Sequence, residues 1–459
     1  MRLNRTSLFP RKVLRRILLA TLPQLILAGS SHAQSAPMEL RLSQAIDLAI
    51  AQNRQIKLAQ LSVVDSQRKK EIARSAYFPQ IKNESTVLHI TELEGAHFPA
   101  GAFGSPPSTG PIPSQSVIVD QGALTAYTSG TGLAQPLTQM FKIHESNRAA
   151  TADINSAKIQ VTQAEDEIAL NVRQLYFEIL IAQLKEQAAK EEVDASQIRL
   201  QESTDAVTEG KALEVVALDS RAALLDAKEA VLTQSLQAQD LTYELDDLLG
   251  LPLTTQLRLN DDSLASAVSI PAREECARIA REQSPEIRAA QQAVEKAKAG
   301  LAAAKDAYIP DITAVARYSY QSGVPLLVHN FGTFGATFTY DLFDGGRRGA
   351  EIADSRTLLS QAQLNLIKVE EEVAVEVETA YDKVTQRQSL VEVAEEVLKA
   401  RTEAARVADR QLEQSAALAS ARAEAAAKAS SAKASLLEAN LGLSLAQGGL
   451  KRAMGQIPR

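Results

Sequence analysis

The chain has 459 residues, a formal net charge of −7, five histidines and a single cysteine, Cys276. An acidic polymer without a basic block is poorly suited to neutralising phosphates, which argues against a nucleic-acid partner. One cysteine excludes an intramolecular disulfide, and the length admits two or three ordinary domains or one large extended one.

Arg2, Arg5, Arg11, Lys12, Arg15 and Arg16 form a basic start without an acid. An apolar run from Ile17 to Ala28 and the small residues of Ser31-His32-Ala33 follow. This is the layout of a secretory signal peptide over residues 1–33. The alternative, a first membrane anchor, is disfavoured because the run is short for ~30 Å of hydrocarbon and Pro23 interrupts it. Losing those six positive charges takes the net charge from −7 to −13. No cysteine lies near the cleavage position to carry a lipid. No later segment has 18 consecutive apolar residues, so a membrane-spanning helix is not expected, whereas a β-barrel strand gives a much weaker signal.

Residues 42–77 carry a helical pattern, with Leu42, Ile46, Ala49 and Ile50 on one face, ended by Pro79. Strands are expected at about 80–92 and 121–135, separated by a long loop over 94–119 that is rich in Gly, Pro and Ser. Residues 142–208 predict one very long helix. Val161, Ala164, Ile168, Val172, Leu175, Ile179 and Ala182 recur at the spacings of a coiled-coil seam. Gly210 breaks it, and another helix runs from about 213 to 249.

The order then repeats. Residues 41–81 lie on 272–312 at an offset of 231, and Leu137–Gly250 lie on Leu342–Gly455 at an offset of 205. The difference of 26 residues is the loop insertion in the first copy. We therefore expect a first structural repeat over 34–270 and a second over 271–459. In the second, Ile312, Ala314, Ala316, Tyr318 and Tyr320, and then Phe334, Ala336, Phe338, Tyr340 and Leu342, alternate with polar residues. Ten-residue strands with one apolar and one polar face match barrel strands. The junctions AYFPQI and AYIPDI place Tyr77 with Pro79, and Tyr308 with Pro310, where helix gives way to strand. A helix of about 67 residues is roughly 100 Å long and one of about 36 roughly 54 Å, so two half-length helices end to end match one long one. Four strands cannot close a barrel, and a bilayer tolerates no open edge, so several copies must pool them, most simply three.

The run LRLSQAIDLAIAQNRQIKLAQ, the two junctions, the strand-to-helix YDLFDGGRRGAEI and the repeat-ending LLGLP resemble the TolC-like outer-membrane efflux protein family over about residues 38–456. The resemblance implies an internally duplicated α+β fold, with a long α-helical coiled-coil barrel and a β-barrel of twelve strands shared by a homotrimer. It implies an exit duct for tripartite efflux or type I secretion, set in outer-membrane lipid. The partners it implies are a periplasmic adaptor (membrane fusion) protein and an inner-membrane transporter. It implies no enzymatic step and no cofactor. The alternative is a soluble periplasmic coiled-coil scaffold without channel activity.

The residues themselves offer little catalytic chemistry. The five histidines do not pair at metal-ligand spacing, and Asp344-Gly345-Gly346-Arg347-Arg348-Gly349 lacks the Lys-Ser/Thr of a phosphate loop, so it reads as a strand-to-helix turn. In the family the hairpin tips form the periplasmic entrance and meet the adaptor. They correspond to Gly210, Lys211, Ala212 and Leu213 in the first repeat and Ser415, Ala416, Ala417 and Leu418 in the second. Glu214, Asp219, Arg422 and Glu424 lie just past them as candidate entrance charges, against the plain reading of a solvated helix face. The aspartate and arginine familiar at the second tip are replaced by Ala421 and Ala417.

Overall fold

The computed structural model of the chain describes residues 38–119, 122–260, 270–323 and 328–456. The leader expected over residues 1–33 lies outside them. The first repeat comprises β1 (Met38–Leu40), α1 (Leu42–Gln52), α2 (Arg54–Ser75), β2 (Gln80–His89), β3 (Ala96–Phe98), β4 (Val117–Val119), β5 (Thr125–Pro136), α3 (Met140–Thr208), α4 (Glu214–Leu249) and β6 (Leu257–Leu259). The second comprises α5 (Arg273–Gln283), α6 (Pro285–Asp306), β7 (Asp311–Ser322), β8 (Asn330–Thr339), α7 (Arg347–Glu413) and α8 (Ala419–Ala453). Shifted by 231, α1 and α2 fall on α5 and α6 residue for residue.

The helix expected over 42–77 is two helices. Asn53 leaves helical geometry (ψ 134°) and its side-chain oxygen accepts the N–H groups of Gln55 and Ile56 as the N-cap of α2. Ser284 caps α6 in the second repeat by accepting the Ile287 N–H (3.3 Å), with Pro285 at its first position. The glycines that end each repeat seat the long helices against these breaks. Gly250 (φ +70°) lies beside Gln52, and Gly455 (φ +73°) is so close to Gln283 that a Cβ would stand 2.5 Å from its carbonyl oxygen.

The expected end-to-end stacking holds. In the first repeat α1, α2 and α4, with 11, 22 and 36 residues, together equal the 69 residues of α3. α3 packs against α2 and α4 of its own repeat and against α6 and α8 of the other, so the duplicated units form one continuous wall. α7 packs chiefly against α5, α6 and α8, leaving Leu364, Val375 and Val393 exposed along it. Exposed Leu61, Val64, Leu232 and Leu236 line the opposite edge on α2 and α4.

Two apolar clusters hold the wall at mid-height. One gathers Ile46, Ala49 and Ile56 around Val172, Tyr176, Phe177 and Ile179 of α3. Tyr176 donates its hydroxyl proton to the carbonyls of Leu40 and Asn260 (2.9 and 2.8 Å), tying down the parallel β1–β6 pair. The other joins Cys276 and Ala280 of α5 to Val373, Val377 and Val384 of α7. Cys276 is fully buried, as a small packed residue.

β2, β5, β7 and β8 form one antiparallel sheet in that order. Its register aligns Ile312 with Phe338 and Ala316 with Phe334, giving the apolar face expected from the alternation. In the first repeat that face carries Asn83, Ser85, Ser129 and Thr131, which hydrogen-bond to one another. Its weaker alternation thus comes from a cross-strand polar ladder. The loop expected over 94–119 is closed at its base by a β3–β4 hairpin, with Ala96 opposite Val119.

Candidate functional site

The helix-to-strand junctions are built as the two prolines suggest. After α2 the N–H groups of Tyr77 and Phe78 turn back to Arg74 and Ser75 (both 3.1 Å), and β2 begins directly after Pro79. After α6 the N–H groups of Tyr308 and Ile309 turn back to Lys305 and Asp306, and β7 begins after Pro310. The junctions are stitched together. The Thr138 hydroxyl donates to the Pro310 carbonyl (2.6 Å) and accepts from the Ile312 N–H (2.8 Å), while Gln135 donates to the Tyr77 carbonyl (3.0 Å).

The second junction has a clamp that sequence reasoning passed over as a mere turn. Gly345 and Gly346 take φ values of +68° and +88°, which favour glycine. The Asp344 carboxylate accepts the N–H groups of Gly346 and Arg348 (3.0 and 3.2 Å) and the Arg348 Nε–H (2.6 Å). The Arg348 guanidinium lies between the rings of Tyr308 and Tyr340, 5.2 and 4.9 Å from their centroids. The Arg348 hydrogen bonds, side chain first and then backbone, hold the Asp344 carboxyl down at about 2. The equivalent of Arg348 in the first repeat is Ile143, so the clamp belongs to one junction of the two.

The tips are matched turns. Gly210 (φ +71°) closes the first, with the Lys211 N–H reaching the Ala206 carbonyl at 2.8 Å. Ser415 (φ +55°) closes the second, with the Ala416 N–H reaching the Gln411 carbonyl at 2.8 Å. Leu213 and Leu418 follow in extended geometry as the N-caps of α4 and α8, and they are 74% and 65% exposed. Ala212 and Ala417 are half-buried beside them, whereas Lys211 and Ala416 are exposed. No side chain of the second turn caps α8; instead Glu202 of α3 accepts the Ser420 N–H at 3.0 Å.

The four candidate charges are not brought together into one cluster. Arg422 pairs with Asp409 of α7 (2.7 Å). Glu424 accepts from Lys428 (2.6 Å) and pairs with Arg199 of α3; Lys428 first, then Arg199, draws its carboxyl below the usual range. Asp219 and Glu214 are exposed, with no ion pair within 4 Å among the described residues. The equivalent acids Asp219 and Glu424 are thus electrostatically unlike, because Arg199 has no basic counterpart at its equivalent, Ala404.

A family model described as outer membrane efflux protein matches residues 45–251 and 277–456. The chain has the fold of a CusC crystal structure, at TM-score 0.72 and 17% identity over 93% of this chain and 96% of that one. The Campylobacter jejuni CmeC outer membrane channel matches at 0.69 and 15%, over 90% and 85%. The open state of the Neisseria gonorrhoeae MtrE outer membrane channel matches at 0.66 and 18%, over 91% and 90%. No curated protein sequence matches significantly.

Proposed function

The chain belongs to the outer membrane efflux protein family, and from that premise we propose that three copies close into a single passive duct from the periplasm to the exterior. The observation that carries this reading is the open sheet. β2 and β8 are its edges, every residue of both strands is exposed, and Phe334 of β8 is 92% exposed. An uncovered edge is a template for another strand, and pairing β8 of one copy with β2 of the next satisfies both. Three copies then pool twelve strands, within the range of outer-membrane barrels. The apolar flanks of α7 on one side and of α2 and α4 on the other close the helical wall in the same operation.

In this arrangement the units are a leader over 1–33 and repeats over 34–270 and 271–459. The parallel β1–β6 pair supports the first boundary by tying residue 38 to 257 within one repeat. Tyr77, Pro79, Tyr308 and Pro310 sit where wall becomes barrel, at the height of the membrane interface that favours tyrosine. The exposed leucines of the two tips suit an apolar contact with a periplasmic adaptor, which in turn engages an inner-membrane pump that supplies the energy. The relatives are channels, and no bond-breaking step is assigned to this chain.

A scaffold without a channel has no use for Phe334 and Phe338 on one uncovered face. Unheated detergent gels and planar bilayers test the choice. The duct requires a heat-sensitive trimer that conducts ions. A monomer that fractionates with soluble periplasm sinks it.

A further inference from the structure

α3, α7 and α8 meet around a groove of about 810 Å3, a size usual for small-molecule sites. It lies on the wall's face away from α1 and α5. Val373, Val377 and Val384 of α7 pack toward α5, whereas Lys383 and Arg387 of the groove stand roughly a quarter and a sixth of a turn round from that stripe. α3 likewise buries Val172 and Tyr176 on one side and offers Leu170 and Gln174 to the groove. With α1 and α5 on the outside of the proposed duct, this face is its lumen.

Its lining is rich in positive charge. Lys383, Arg387 and Arg452 bring three cations to the groove against Glu376, the single acid among its lining residues. None of the three makes an ion pair within 4 Å among the described residues. Some other cations of the same helices are matched, as Lys185 is by Glu438 and Lys428 by Glu424. In a chain of net charge −7, three cations against one lining acid make a local excess of positive charge, with the buried Asp166 of α3 near Arg452. The Arg387 guanidinium lies over Gly442, where a Cβ would meet its Nη1 at 3.2 Å, so the glycine leaves room for it. Between the cations, Leu170, Leu390 and Leu445 supply apolar lining. Cations above an apolar floor match a ligand with one acidic head and an apolar body.

We propose that this groove binds amphipathic organic anions, carboxylates or sulfonates on a ring or alkyl body, as a station on the wall of the duct. Its place in the lumen rests on the duct reading; the binding itself rests on the single chain. Calorimetric titration of the intact protein in neutral maltoside micelles, with 2-naphthalenesulfonate as probe and micelles alone as blank, tests it. Saturable binding is expected, weakened at least tenfold by Arg387→Gln with Arg452→Gln. Gly442→Leu, which displaces Arg387, is expected to weaken it by a similar factor. Neutral 2-naphthol and inorganic sulfate are expected to bind at least tenfold more weakly than the probe. Undiminished binding to these variants overturns the proposal. So does equal binding of 2-naphthol, which leaves an apolar crevice, or of sulfate, which leaves diffuse charge attraction. An unheated gel run on the same samples separates the two ideas, since a wild-type monomer that still binds the probe defeats the duct and not the groove.

Discussion

Two residues carry costs visible in the structure. Asp246 is fully buried at the end of α4, and neither carboxylate oxygen meets a hydrogen-bond donor among the described residues. Burial pushes its pKa up to about 6. An acid raised in the folded state holds its proton there more tightly than the unfolded chain does. Stability is therefore lost as pH rises from about 4 to about 6 and stays low above that. Asp246→Asn should raise thermal stability at pH 7.5 by on the order of 2 kcal/mol, with the advantage shrinking at pH 4. A benefit independent of pH would place the cost elsewhere. Ser415 is the second case, since at φ +55° its Cβ crowds the following carbonyl, at a cost of roughly 1 kcal/mol that Gly210 avoids at the other tip. Ser415→Gly should slow amide hydrogen exchange at 411–416 and Gly210→Ser should speed it at 206–212; the reverse pattern would show that the tips are not equivalent turns. The alignment put Ser415 opposite Gly210 from sequence alone, but the strain became visible only in the backbone angle.

At the level of elements, the long helices, their stacking and the four long strands were legible because each rests on a period that runs for many residues. The break at Asn53 was not. The apolar rhythm of 42–77 continues across it without glycine or proline, so periodicity alone predicts a single helix. The local chemistry held the signal, because Asn53 aligns with Ser284 and Pro285 follows the latter, a cap and a first-turn proline at one place in the duplicate. Asn53 also donates from Nδ2 to the Leu248 carbonyl (3.2 Å), which ties the break to the end of α4. Ser284→Ala should cost about 1 kcal/mol, the usual worth of such a cap. Asn53→Ala should cost more, since it also loses the tether to α4 at Leu248, whereas the second bond of Ser284, to Glu286, stays within its own first turn. Thermal unfolding of the two variants side by side checks the order, and equal losses would deny the Leu248 bond any weight. The Arg348 clamp was missed for a related reason: Tyr340 and Asp344 lie in its own run, but Tyr308 comes from the distant end of α6 and only the fold brings it to the guanidinium.

For the whole molecule, the duplication says how copies should meet. Within the chain α3 receives α8, and near the entrance that seam holds Arg199 against Glu424 and Glu202 against the Ser420 N–H. If closure repeats this geometry, α7 receives α4 of the neighbouring copy, and the equivalent positions are Ala404 against Asp219 and Val407 against Val215. The seam between copies would then lack the ion pair that the seam within each copy holds, with Asp219 facing an alanine. Exposed ion pairs are worth little in stability, so the difference concerns which seam can part, not how firmly the trimer holds. Cysteine pairs treated with a short bis-maleimide distinguish the seams, because buried Cys276 has its thiol pKa raised by burial and leaves the background silent. Ala404→Cys with Asp219→Cys should give cross-linked dimers and trimers on heated gels. Arg199→Cys with Glu424→Cys should cross-link within one chain and run as a monomer. If the first pair stays monomeric while the second reacts, α7 does not meet a neighbour's α4 in this register, and the duplicated wall does not close by repeating its own internal contact.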